Sequence, residues 1–198
     1  VNPGVFHPLD RRLEAFADTN SSGRGVLHLG FVGRLTRDKG IYDFLNAVEA
    51  LRARGLEVRA TVAGNGPEAQ AVKAAPYVTY HAYLTHEELA ALYRDLDLFL
   101  FPTQRESESL GLVGIEAMAC GTPVVAYRGT GPETYIADGV NGFLVDRADW
   151  RMMSTIAAEY AILDCDTRAA MARAAVATAS TFATDVVTAD LVAQLRAL

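Results

Sequence analysis

Two carboxylates eight positions apart carry the clearest chemical possibility in this chain. Glu108 opens the stretch ESLGLVGIEAMACGTPVVAYRGTGPE, residues 108–133, and Glu116 interrupts it. From Leu110 to Tyr127 every residue is apolar or small except Glu116, which holds the only charge. A lone carboxylate buried in such a run is costly unless something satisfies it. The candidates are a basic partner elsewhere in the chain or the hydroxyls of a bound ligand. Were residues 108–116 helical throughout, the two carboxylates would stand about 12 Å apart. That is too far to share a proton, and beyond the about 5–9.5 Å of carboxylate pairs that cleave glycosidic bonds. It suits the two ends of one extended ligand, since a carboxylate accepts hydrogen bonds from a vicinal diol such as a ribose. Two structural alternatives stay open: a buried Glu116–arginine ion pair, and Glu108 as an exposed loop charge like its neighbour Glu106.

Cations that could face these carboxylates sit in Gly33-Arg34-Leu35-Thr36-Arg37-Asp38-Lys39-Gly40. Arg34 and Lys39 flank a loop that opens a helix. Two cations beside unpaired backbone N–H groups make an anion site, and a diphosphate matches two cations. A solvated surface turn is the alternative, and Arg37 reads as that. Ser109, Leu110, Gly111 and Leu112 form a second helix start whose N–H groups could meet a phosphate, with Gly111 permitting close backbone approach. A packing glycine is the alternative there. Gly30 and Gly33 do not complete a dinucleotide fingerprint.

Other chemistries find little support. His7, His28, His81 and His86 share no metal-ligand spacing, and no serine or cysteine stands in a nucleophile–base pattern. His28 reads as a packed strand residue and His81 as a loop residue at the ligand edge. Cys120 and Cys165, the only two cysteines, define no disulfide framework, which fits a reducing cytoplasm. The net charge of −6 argues against a general nucleic-acid or anionic-membrane surface. No apolar run reaches a membrane span of about 18 residues.

The elements that must position these residues alternate. Val26–Val32 is a continuous apolar run suited to a doubly buried strand, followed by the basic loop and a helix with Ile41, Phe44, Leu45, Val48 and Leu51 at helical spacing. Leu56–Ala63 reads as the next strand, Gly64-Asn65-Gly66-Pro67 as a tight turn, and Glu68–Ala75 as a short helix. Tyr77–Tyr80 is a short strand. Thr85 and Glu88 form a capping-box pattern opening a helix to Arg94. Asp97–Phe101, Pro123–Tyr127 and Phe143–Val145 are further strands, with helices expected over Gly111–Cys120, near Pro132–Ala137, and from Asp149 onward. A short helix is also expected over Leu9–Asp18. The expected fold class is α/β, a parallel sheet with helices on both faces. Right-handed crossovers place the strand-to-helix loops at one edge, where such sheets bind ligands. Gly33–Lys39, Gly64–Pro67, the loop after Tyr80, Thr103–Gly111 and Arg128–Glu133 all fall there.

Taken together, GRLTRDKG, GNGP, LTHEELAALYRDLDLFLFPT, the E-x7-E pair Glu108/Glu116 and EAMACGTPVVA resemble the C-terminal, donor-binding domain of group 1 (family 4) retaining glycosyltransferases. The resemblance runs from Val26 to Val145. Glu108-Ser109-Leu110-Gly111 stands where the family often has Glu-Gly-Phe-Gly, and Gly129-Thr130-Gly131-Pro132-Glu133 where it has Gly-Gly-x-Pro-Glu. The resemblance implies a Rossmann-like domain forming one half of a GT-B fold. It implies a hexose-type sugar moved from a UDP- or GDP-linked donor with retention of configuration, and neither a metal nor another cofactor. Arg34 and Lys39 would stabilise the leaving diphosphate, Glu108 would hold the sugar, and Glu116 the ribose. Gly33, Gly64 and Asn65 belong to the implied donor site. Ser109, Leu110, Gly111 and Leu112 would meet phosphate and sugar, and His81, Ala82, Tyr83 and Leu84 the base.

The implied organisation is a linker over residues 1–24, a nucleotide-sugar-binding domain over 25–182 and a C-terminal helix of the same domain over 183–198. The opening VNPGVFHP resembles the family's interdomain linker. The expected partners are therefore the nucleotide sugar and an N-terminal acceptor domain that this chain lacks, with any peripheral membrane contact made through that domain and no nucleic acid. On this reading the chain binds donor but transfers little alone. A nucleotide-sugar epimerase of the same fold and a non-catalytic nucleotide-binding module are the alternatives.

Overall fold

The structure is a computed structural model that describes residues 1–8, 25–105 and 107–189. The helix expected over Leu9–Asp18, Glu106, and residues 190–198 of the expected C-terminal helix lie outside the described residues. Six parallel strands form one sheet: β1 Leu27–Val32, β2 Val58–Ala63, β3 Val78–His81, β4 Leu98–Phe101, β5 Val124–Tyr127 and β6 Gly142–Val145. Their order is β3-β2-β1-β4-β5-β6. The α/β Rossmann-like architecture expected from the alternating pattern is the one observed.

Helices cover both faces: α1 Ile41–Ala53, α2 Ala69–Ala74, α3 His86–Asp95, α4 Leu112–Ala119, α5 Trp150–Tyr160 and α6 Cys165–Ser180. On one side Phe44, Val48 and Leu51 of α1 pack with Met153, Ala157 and Tyr160 of α5 against the sheet. On the other, Tyr93 of α3, Ile115 and Met118 of α4, and Ala175 and Ala179 of α6 do so. The apolar strand runs follow from this double coverage. All six residues of β1 are buried, so no period-2 alternation survives. Phe44 and Leu51 are fully buried, each contributing about 2 kcal/mol through removal from water.

Local chemistry explains where the helices start. The capping box at Thr85 is complete: its hydroxyl accepts the Glu88 N–H, and the Glu88 carboxylate accepts the Thr85 N–H at 2.8 Å. Asp149 caps α5 and Asp164 caps α6. Asp164 makes two helices of a region that reads as one continuous helical pattern, with the break at residues 161–164.

A second difference concerns the short helix expected near Pro132–Ala137. Only a 3-10 turn over Gly131–Thr134 forms there. Beyond it, the Ala137 N–H and the Tyr135 carbonyl bond to a side chain instead of continuing the turn. Asn141 takes the Ala137 N–H at 2.8 Å and donates to the Tyr135 carbonyl at 3.0 Å, while Asp138 accepts the Leu144 N–H at 3.0 Å. Strands β2 and β3 each begin one or two residues later than the sequence pattern suggests, as ends set by partner strands commonly do.

The amino-terminal residues pack on the body of the domain. The Val1 nitrogen donates to the Phe182 carbonyl at 2.8 Å, and Phe6 is buried against His86 and Tyr93. Residues 184–189 are helical.

Candidate active site

Strand order reverses between β1 and β4, since the chain builds outward from β1 to β3 and then returns to β1's other side. The connections after β1 and β4 therefore diverge to opposite faces and leave a crevice at the carboxyl ends of these two strands. The loop after β1 carries Arg34 and Lys39, and the loop after β4 carries Glu108. They are tied together at several points. The Gln104 N–H donates to the Asp38 carbonyl at 2.8 Å, and Arg105 pairs with Asp38 at 3.4 Å. The Gln104 side chain and the Tyr127 hydroxyl both donate to Asp43 Oδ2, at 2.8 and 2.9 Å. Burial, reinforced by the Asp43 charge, pushes the Tyr127 hydroxyl far above the ordinary tyrosine range, so it remains a donor.

The crevice holds a cavity of about 290 Å³. Gly33, Lys39, Glu108, Ser109, Leu110, Gly111 and Leu112, all singled out in the sequence, line it. Phe31 and Val32 at the end of β1, Phe101 at the end of β4, and Val113 complete the wall. These four carry no chemical signal in the sequence; only their position at strand and helix ends could have suggested them.

At the centre, Lys39 Nζ donates to Glu108 Oε2. The two side chains are only 18% and 15% exposed. The fully buried Thr103 offers its hydroxyl to the same Glu108 oxygen at 3.4 Å. Thr103 was not a candidate; its one sequence signal is its place in the Glu108 loop just after the strand-ending Pro102.

The Glu108 backbone is held from a third loop. The Gly131 N–H donates to the Glu108 carbonyl at 3.1 Å. A Cβ on Gly131 would lie 2.6 Å from the carbonyl oxygens of both Glu108 and Ser109, so only glycine permits this approach. Gly111 caps α4 with φ 67°, and a Cβ there would meet Phe101 at 2.4 Å. The Tyr135 hydroxyl, pushed far up by burial and then by the Glu108 charge, donates to the Gly111 carbonyl at 3.4 Å. The start of α4, where the Leu112 and Val113 N–H groups have no hydrogen bond among the described residues, thus opens onto the cavity beside Lys39.

Helix α4 begins at Leu112, so residues 108–116 are not helical throughout and Glu108 lies before the helix. Glu116 is one turn inside it, on the same face as the cavity-lining Leu112. Among the described residues its partner is a tyrosine rather than an arginine: the Tyr93 hydroxyl donates to Glu116 Oε2 at 3.3 Å. Burial pushes the Glu116 carboxyl up, and the Tyr93 bond and His86 draw it back part of the way.

Other candidates stand outside the cavity. Arg34 is exposed on the rim loop, with no side-chain hydrogen bond or ion pair among the described residues. Arg37 pairs with Glu68 at 3.3 Å and stacks on Tyr42. Gly64 and Asn65 brace the first loop: the Gly64 N–H donates to the His81 carbonyl, and the Asn65 carbonyl accepts the Leu35 N–H, both at 2.9 Å. His81 is half-buried, Ala82 and Tyr83 are exposed, and Leu84 packs on the α3/α4 side of the core. His28 is a core residue, its Nε2 bonded to the Thr61 hydroxyl at 2.8 Å. Among the described residues no group of three or more His, Cys, Asp or Glu side chains is placed to hold a metal ion, and no helix is long and apolar enough to cross a membrane.

Comparison with known proteins adds a family. The model for glycosyl transferases group 1 matches residues 27–160. A GDP-mannose-dependent alpha-mannosyltransferase of Corynebacterium glutamicum is 34% identical over 176 residues, 88% of this chain and 40% of that protein. A D-inositol 3-phosphate glycosyltransferase of Segniliparus rotundus is 37% identical over 213 residues, 100% of this chain and 45% of that protein. The chain thus spans about two-fifths of the length of the curated relatives it matches. Among solved structures, the C-terminal domain of the group 1 glycosyl transferase LpcC of Francisella tularensis superposes with a TM-score of 0.72 at 25% identity, covering 93% of this chain and 99% of that one. Anabaena HepE in complex with UDP-glucose shares the fold, with a TM-score of 0.77 at 23% identity over 100% of this chain and 56% of that one.

Proposed function

The chain belongs to the group 1 glycosyl transferases, and from that premise we propose that it is the donor-binding part of a retaining enzyme that moves a hexose from a UDP- or GDP-linked donor to an acceptor. The observation that carries the proposal is the facing pair of Lys39 and Glu108 in a cavity at the start of α4, where β1 and β4 diverge. A cation and free helix N–H groups suit a diphosphate, and a carboxylate beside them suits sugar hydroxyls.

On this reading Lys39 and the rim residue Arg34 take the diphosphate charge. As the bond from the anomeric carbon to the diphosphate oxygen breaks, its electron pair moves onto the diphosphate, and these cations stabilise it. Charge neutralisation by side chains rather than by a metal is part of the proposal. Glu108 holds the sugar. Glu116, one helical turn along the face that Leu112 starts, receives ribose hydroxyls, with residues 81–84 near the base. Retention is supported by the resemblance of the E-x7-E run. The acceptor is held by a further part of a longer protein, so this chain binds donor and transfers little.

Calorimetry with UDP and GDP tests the reading. At least one should bind, and Lys39→Ala and Glu116→Ala should each weaken it by about ten-fold or more. Absence of binding by both nucleotides would sink it.

A further inference from the structure

Lys39 is already engaged. Its ammonium is bonded to the Glu108 carboxylate inside the cavity, and both groups are largely screened from water. A ligand that takes Lys39 must therefore separate a charge-assisted pair and leave Glu108 needing new donors. The Thr103 hydroxyl is one neutral donor to that oxygen, at 3.4 Å.

Given the donor-binding reading above, on which this step rests, we infer that Glu108 is an internal competitor for Lys39 that makes the site prefer the intact nucleotide sugar to the free nucleoside diphosphate. A free nucleoside diphosphate presents only acceptors at its phosphate end. It can draw Lys39 away, but it offers Glu108 nothing and sets a second negative charge beside it. A nucleotide sugar brings both groups that the pair requires, an anion for Lys39 and hydroxyl donors for Glu108. The same carboxylate also acts after transfer. Once the sugar has gone, Glu108 loses its hydroxyl donors and returns to Lys39, which removes a cation from the departing nucleotide.

The fixed loop geometry allows this exchange to be local. Glu108's carbonyl is held by the Gly131 N–H, and its loop is tied to Asp38 through Gln104. Only the side chains of Lys39 and Glu108 need to move, so the competition works without opening the crevice.

Calorimetric affinities of the 198-residue chain for UDP, UDP-glucose, GDP and GDP-mannose provide the test. Wild type should bind the sugar-linked form of its nucleotide more tightly than the free form. Glu108→Gln keeps the shape but removes the charge. It should bind the free nucleotide about ten-fold more tightly than wild type, while the preference for the sugar-linked form shrinks. Glu108→Asp, one methylene shorter, should move affinities in the same direction by less, and it serves if the glutamine variant does not fold. If wild type binds nucleotide and neither variant binds the free form more tightly, the competition is refuted while donor binding stands. If wild type binds none of the four compounds, both the donor-binding reading and the competition fail.

Discussion

The Tyr93 hydroxyl reaches from α3 to α4 and donates to Glu116 Oε2 at 3.3 Å. Tyr93 is itself fully buried, and burial followed by the Glu116 charge pushes its hydroxyl well above the ordinary tyrosine range. While Glu116 is ionised the bond therefore runs from phenol to carboxylate. Among the described residues it gives Glu116 one neutral donor, and burial still pushes the carboxyl up, so the fold holds this charge less well than water does.

That mismatch predicts a conflict between stability and binding at Glu116. The folded chain holds this proton to a higher pH than the unfolded chain, whose carboxyl titrates near 4.5. The stability from this group is complete below that value and is lost as pH rises through the raised folded value. At neutral pH Glu116→Gln should then melt higher than wild type, by about 2 °C, and should lose the part of the pH dependence due to this group. Thermal melts from pH 4 to 8 check it, and an unchanged or lower melting temperature at pH 7.5 counts against the assignment.

Lys39 and Glu108 should respond unequally to substitution. Lys39→Met leaves a screened carboxylate with, among the described residues, only the Thr103 side chain as donor, a loss of about 1–3 kcal/mol. Glu108→Gln leaves the ammonium facing an amide oxygen and should cost less. Urea unfolding of the two variants side by side measures the asymmetry. Equal losses would show that the pair does not behave as a screened ion pair.

Gly131 should matter to ligand binding although it does not line the cavity. A methyl group there would sit 2.6 Å from two carbonyl oxygens of the Glu108 loop, so Gly131→Ala should cost about 1–3 kcal/mol and displace Glu108. The expected signature is a larger loss of affinity for the nucleotide sugar than for the free nucleotide. Equal losses for both would mean that the substitution does not act through Glu108.

His28 supplies an acid sensitivity at the far end of the sheet from the site. Burial lowers its basicity first, and the Arg59 charge adds to this against opposing contributions from Asp95 and Asp97. The unfolded histidine, titrating near 6.5, binds its proton more readily than the folded one. Stability from this group is therefore full above that pH and is lost as pH falls towards the lowered folded value. Urea midpoints at pH 7.5 and 5.5 should differ more in wild type than in His28→Gln. An equal difference in both would assign the acid sensitivity to other groups.

Much of the fold was legible because its causes are local. The Thr85–Glu88 capping box lies within four residues, the apolar run of β1 reports burial on both sides, and Ile41, Phe44, Leu45, Val48 and Leu51 mark one helix face. The 3-10 turn at Gly131–Thr134 was less legible, because Asn141 takes the Ala137 N–H and the Tyr135 carbonyl, backbone groups that would have extended it.

For the site, the sequence by itself determined the chemical types: two cations in one loop, two carboxylates around one helix start, and strands whose loops converge on one sheet edge. The tertiary structure alone decided who meets whom. Lys39 lies 69 positions from Glu108, and they meet because the sheet order reverses between β1 and β4. Glu116 found a tyrosine on α3 where an arginine was the expected structural alternative, and Gly131 from a third loop holds the Glu108 backbone. Periodicity and capping are set by interactions within a turn or two of chain, whereas these contacts exist only once parallel strands have placed distant loops side by side.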